Sequence, residues 1–151
     1  MDITKEDRRN AFLYCKFRHD QYALYDNYVK SQGLLMNTFL VLNVLFYAKD
    51  GLTQKDICAQ TFQSKQTVSL IIKHLEKEGD VTLAEDQEDR RNKRVQMTEH
   101  GRSRYETPVR HITRAEDTAM ALFTPKEQEQ LIRLSRRFTE NLTRLVQGDE
   151  T

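Results

Sequence analysis

The sequence predicts a mostly α-helical chain carrying one short β-hairpin, a mostly α (α+β) arrangement, on three observations. Apolar residues recur at spacings of three and four over most of its length, the period of amphipathic helices. Only 5 Gly and 2 Pro interrupt them, too few for a loop-rich or disordered chain. Between residues 81 and 97 the period switches to two, the spacing of a strand. A length of 151 residues suits one domain able to bury roughly two thirds of its unfolded surface without disulfide or metal staples.

Each element has its own signals. Ile3, Phe12, Leu13, Cys15, Phe17, Tyr22, Leu24, Tyr25, Tyr28 and Val29 lie along one long amphipathic helix, capped by Thr4 with Asp7 and stopped by Gly33, a residue at ease in left-handed backbone. A second helix, about 37–49, is apolar nearly all round and is therefore expected at the centre of the core; Asp50-Gly51 ends it. Two more helices, 53–61 and 64–78, are joined through Phe62-Gln63 alone, a link so short that they are expected to cross steeply. Thr53 with Asp56, and Ser64, read as N-caps, and Gly79 as the stop. Val68, Ile71, Ile72 and Leu75 define the inward face of the second, so Lys65, Gln66, Ser69 and Lys73 point away from the core. Val81, Leu83, Val95 and Met97 alternate with polar residues as a two-stranded hairpin with a solvated tip. A long helix from Thr98 to about Leu122 contains Pro108, where a kink or break is expected. Thr124-Pro125-Lys126-Glu127 restarts helix with a cap, a first-position proline and a capping box, and Leu131, Leu134, Ser135, Phe138, Leu142 and Leu145 form an apolar stripe along this last helix.

Several function classes fall away. With 24 basic and 23 acidic side chains the net charge is +1, so any attraction to a polyanion has to be local. The hairpin supplies such a local field: the acids Asp80, Glu85, Asp86, Glu88 and Asp89 precede the bases Arg90, Arg91, Lys93 and Arg94. The apolar run from Phe39 to Ala48 contains Asn43 and is far short of the about twenty residues that span a bilayer, so no membrane partner is expected. The N-terminus lacks the apolar core of a secretory signal, which makes the cytoplasm the expected compartment. Two cysteines, Cys15 and Cys58, suggest neither a disulfide framework nor a metal cage. His19, His74, His100 and His111 show no ligand spacing, and no phosphate-cradling glycine loop or nucleophile elbow occurs, so neither an enzyme nor a cofactor is expected. A metal site built from His111 with Glu106 or Glu116 has too few ligands.

Two helices with a tight turn followed by a hairpin with a basic tip are the parts of a winged helix-turn-helix. The second helix of that unit fits the major groove, about 12 Å wide, and its polar face reaches base edges. An arginine at the hairpin tip suits the narrower minor groove of A·T-rich sequence. The competing reading takes the lysines as a solvated helix face and the arginines as a solvated loop.

The segment Leu75-Glu76-Lys77-Glu78-Gly79, together with Asp89-Arg90-Arg91-Asn92-Lys93-Arg94-Val95-Gln96-Met97-Thr98-Glu99-His100-Gly101, resembles the signature of MarR-family transcriptional regulators, whose wing carries D-R-R-x-K followed by an apolar-x-L-T-x-x-G ending. The resemblance continues upstream to Thr53, and the order of outer helices agrees over essentially the whole chain. It implies a single domain, 1–151, with a DNA-binding lobe at 37–99 and a helical dimerisation region from 1–34 and 100–147. It also implies DNA contacts from Ser64, Lys65, Gln66, Thr67, Ser69 and Lys73 on the recognition helix and from Asp89, Arg90, Arg91, Lys93 and Arg94 on the wing. Asp89 would orient Arg91 toward the minor groove. Two positions depart from the pattern: Asp80 stands where the family has a large apolar residue, which questions the packing at the wing base, and Met97 stands for leucine.

The apolar stripes of the first and last helices lie outside the winged-helix core, and twofold self-association would hide them. Cys15 has two readings, a small residue in a helix interface or a redox sensor beside Tyr14, Lys16 and Arg18. Peroxide-sensing relatives place a tyrosine where this chain has His19. Cys58 is expected in the core. Tyr14, Phe17, Tyr22, Met36 and Phe39 are either core or the lining of a pocket for a small apolar or phenolic inducer. The expected function is that of a sequence-specific DNA-binding regulator, a homodimeric repressor on a pseudo-palindromic operator released by a small ligand or by oxidation. The alternative is a winged-helix protein-interaction module that does not bind DNA.

Overall fold

The computed structural model describes residues 2–85 and 93–148. Its elements run α1 (Lys5–Ser31), α2 (Met36–Tyr47), β1 (Leu52–Thr53), α3 (Gln54–Thr61), α4 (Lys65–Lys77), β2 (Val81–Glu85), β3 (Lys93–Met97), α5 (Glu99–Ala121) and α6 (Pro125–Gln147). The chain divides into two compact units within α5, Met1–His111 and Ile112–Thr151. No single helix is long and apolar enough to cross a membrane among the described residues.

Local chemistry sets the helix starts. Thr4, Thr53 and Thr124 each accept a hydrogen bond from the backbone N–H three residues on, while Asp7, Asp56 and Glu127 accept one from the cap's own N–H, completing capping boxes at α1, α3 and α6. The threonine hydroxyls hold all three carboxyls below their ordinary range. The Ser64 hydroxyl caps α4 by accepting from the Thr67 N–H at 3.1 Å. At the other ends, Gly33 and Gly79 take φ of +72° and +77°, as the stop signals require. The turn between α3 and α4 has no glycine. Phe62 closes α3 at φ +55°, a conformation costly for a bulky side chain, and the ring is 95% exposed.

In the first unit the core lies where the sequence placed it. From α2, Phe39, Val41, Leu42, Leu45 and Phe46 are buried against Val29 of α1, Ile57 of α3, Val68, Ile72 and Leu75 of α4, and Val81 and Val95 of the sheet. Phe39, one of five residues offered for an inducer pocket, is thus a core residue. Ile71, expected inward, is only half-buried. The sheet has three strands rather than two, in the order β1-β3-β2, all antiparallel. Leu52 pairs with Val95 and Thr53 with Arg94. A two-residue strand carries no periodicity, so the sequence pattern could not announce it. Beside it, the Asp50 carbonyl accepts from Arg94 Nε at 3.2 Å and Gln96 Nε2 at 3.3 Å.

Helix α5 runs through Pro108 without a break. Its buried positions, Gly101, Tyr105, Pro108, Val109 and Ile112, follow helical spacing. At its start Asp80 resolves the question raised at the wing base: the carboxylate is fully buried, with one of its oxygens, Oδ2, hydrogen-bonded. Asp80 Oδ2 accepts from Tyr105 Oη at 2.8 Å and from Arg104 Nη1 at 3.0 Å, while His100 Nε2 stands 3.7 Å from Oδ1. Glu78 Oε2 lies 3.7 Å from the same Arg104 nitrogen. Burial, followed by the hydrogen bond to Asp80 and its charge, pushes the Tyr105 phenol up to about 12. Because the folded value lies above the ordinary 10.0, the associated stability is complete below pH 10 and is lost as pH rises through about 12. Unfolding by urea at pH 9 and pH 11.5 should therefore show a loss of about 1–2 kcal/mol that Tyr105→Phe lacks. An equal loss in both proteins would remove Tyr105 as its source.

The second unit holds the end of α5 and all of α6. None of the described residues of α6 is buried. Leu131, Ile132, Leu134, Leu142, Leu145 and Val146 are all exposed.

Candidate nucleic-acid interface

Helix α4 presents two chemically different faces. Val68, Ile72 and Leu75 are buried; Lys65, Gln66 and Lys73 are exposed, and Thr67 and Ser69 are half-buried. Ser64 and Thr67 spend hydroxyl capacity on each other at 2.9 Å and on the helix cap. Gln54 of α3 donates from Nε2 to the Lys65 carbonyl at 2.9 Å, and Gln63 of the turn donates to the Asn37 carbonyl at 3.0 Å. These bonds fix α4 against α3 and α2 while leaving its polar side chains outward.

A cleft of about 750 Å³ separates α3 and α4 from the paired strands. Lys55, Lys65, Lys73 and Lys93 line it, with Glu76 the one acid among its lining residues. A chain of net charge +1 thus concentrates four cations around one concave surface. Cys58 also lines this cleft and is half-buried, which corrects its expected place in the core. The sequence signal for that was the lysine three residues before it, on the same side of a short helix.

The wing residues are placed unequally. Lys93 is exposed at the end of β3, opposite Glu85. Arg94 is half-buried, its Nε directed to the Asp50 carbonyl. Asp89, Arg90 and Arg91 lie outside the described residues. Of the other sites, Cys15 is a half-buried free thiol on α1, and the neighbouring Lys16 pairs with Asp20 at 2.7 Å. Tyr14, Phe17 and Tyr22 are exposed along α1, Met36 is half-buried, and Phe39 is in the core. His111 stacks on Tyr28 with ring centroids 4.6 Å apart, and Glu106 pairs with Arg110 at 2.7 Å. One outward residue of α4 was missed altogether: Leu70 is 69% exposed.

Residues 32–92, spanning α2 to the wing, match the model of the MarR family. Over this segment the chain resembles the MarR family. Among solved structures, AbsC, a MarR family transcriptional regulator from Streptomyces coelicolor, shares 21% identity at a TM-score of 0.77, covering 95% of this chain and 98% of its own. NMB1585, a MarR family regulator from Neisseria meningitidis, shares 23% identity at 0.73, covering 98% and 100%. MepR of S. aureus, solved in complex with DNA, shares 22% identity at 0.68, covering 93% and 99%. At such identities the likeness is one of fold. No curated protein matches the sequence.

Proposed function

We propose that this chain is a MarR-family transcriptional regulator, a homodimeric repressor that binds a pseudo-palindromic operator in double-stranded DNA. The observation that carries the reading is the lysine-lined cleft beside the polar face of α4, the charge and shape that suit a helix entering a major groove between two phosphate rows. Gln66 and Ser69 address base edges, and Lys55, Lys65, Lys73 and Lys93 meet phosphates. Arg91, oriented by Asp89, reads the minor groove. Exposed apolar side chains on α1 (Phe12, Phe17, Leu24) and on α6 support twofold association, which sets the two recognition helices about one DNA turn, or 34 Å, apart. Release comes from a small ligand among the α1 and α2 aromatics, or from oxidation at Cys15, through a change in that separation.

Selection of duplexes from the source genome by the purified protein, followed by titration at several salt concentrations, tests this. A palindromic sequence should be enriched, with two chains per duplex by sedimentation. Affinity should fall steeply with salt, and Lys93→Ala should weaken all sequences alike and reduce the slope by about one per protomer. Binding indifferent to salt, or no enriched sequence, would favour the protein-interaction module.

A further inference from the structure

We propose that Leu70 is a specificity-determining residue that reads the C5 methyl group of a thymine in the major groove. The inference rests on the proposed DNA-binding function and names a chemistry within it. Val68 and Ile72, both buried, flank Leu70 at two residues' distance, so its side chain lies about 160–200° round the helix from each and opposite the core. Gln66 and Lys73, one turn before and after, share its stripe. Gln54, Lys65, Gln66, Ser69 and Leu70 line a shallow recess of about 490 Å³.

An isolated leucine on a protein surface calls for no explanation. Leu70 differs in its surroundings, since the middle of a face otherwise made of amide, hydroxyl and ammonium groups is where a groove-bound helix is most fully desolvated. Leucine has neither donor nor acceptor. Against an amino or carbonyl edge it would strip water from a polar group and return nothing. The thymine methyl is the apolar feature that the major groove offers, and it turns the same burial into a gain. Gln66, on the same stripe, carries the amide that pairs bidentately with adenine. Four residues of helix rise about 6 Å, close to two base-pair steps of 3.4 Å, so the thymine falls within about two pairs of that adenine.

The test uses the full chain and a duplex that the wild type enriches from a synthetic random pool. Each thymine is replaced in turn by deoxyuridine, which removes the methyl group and leaves every hydrogen-bonding group in place. At one position per half-site, wild-type affinity should fall about fourfold, and about fifteenfold with both halves changed, the worth of one or two buried methyl groups. Leu70→Ala, at an exposed position that alanine suits, should bind thymine and deoxyuridine duplexes equally while keeping its salt slope. If no deoxyuridine weakens the wild type, or if Leu70→Ala loses as much as wild type at the same positions, the assignment is overturned. A pool that yields no enriched sequence overturns the DNA-binding reading and this one with it.

Discussion

Alanine at Gly101 should lower the unfolding free energy by about 2–3 kcal/mol, although alanine is the better helix former. Gly101 sits in the first turn of α5, where its N–H donates to the Thr98 hydroxyl at 3.0 Å. The same hydroxyl donates to the carbonyl of Gly79 at 2.7 Å, and the Thr98 N–H donates to that of Asp80 at 3.0 Å, so the helix start rests directly on the turn before β2. A Cβ on residue 101 would collide with the Asp80 carbonyl oxygen and stand 2.9 Å from the Asp80 Cα. Both are backbone atoms, and no side-chain rotation relieves the overlap. Helix propensity alone favours alanine by about 1 kcal/mol, so the two effects have opposite signs and a urea denaturation curve separates them. A midpoint equal to wild type, or higher, would show that the turn yields without cost.

Arg104→Ala should cost about 3 kcal/mol, the low end for breaking a buried pair because the guanidinium is itself half exposed. What is lost is the compensation of Asp80, whose carboxylate is wholly buried and keeps the Tyr105 hydroxyl as its hydrogen-bond donor, with the His100 ring 3.7 Å away, when Arg104 is removed. Adding Asp80→Asn to Arg104→Ala removes the uncompensated charge and should recover more than half of the loss. Additive costs in the double variant would show instead that the two side chains act independently.

These two sites mark where the sequence stops being readable. The helix starts were legible because a threonine followed three residues later by an acid carries its own partner within one turn. The Gly33 and Gly79 stops were legible for the same reason, since they depend on backbone conformation and not on distant neighbours. Asp80 was recognised as a departure, but its partners sit 24 and 25 residues further on, brought to it by a helix whose rotation no local pattern fixes. Gly101 belonged to the recognised wing motif, yet the crowding that excludes a side chain there appears only when α5 meets the turn after α4. On α4 the polar residues were found by subtraction from an apolar face. That subtraction assigned every aliphatic residue it used to the core, counted the half-buried Ile71 inward and passed over Leu70. Cys58 was drawn into the core by the same habit of sorting by residue type.

The attachment of residues 48–51 to β3 has a mechanical consequence. Asp50 is held by two side chains of β3, Leu52 and Thr53 extend the ladder, and any side chain at Gly51 would strike Val95 and Gln96. Helix α3 begins at the very next residue, Gln54. The return strand β3 is therefore not a free arm: it is bolted to the root of α3, so that β3 and the start of the helix-turn-helix are held to move together. On the dimeric DNA-binding reading proposed above, an adjustment of the distance between operator halves would have to be absorbed outside this joint, because swinging β3 away from its base would first have to tear β1 from the ladder.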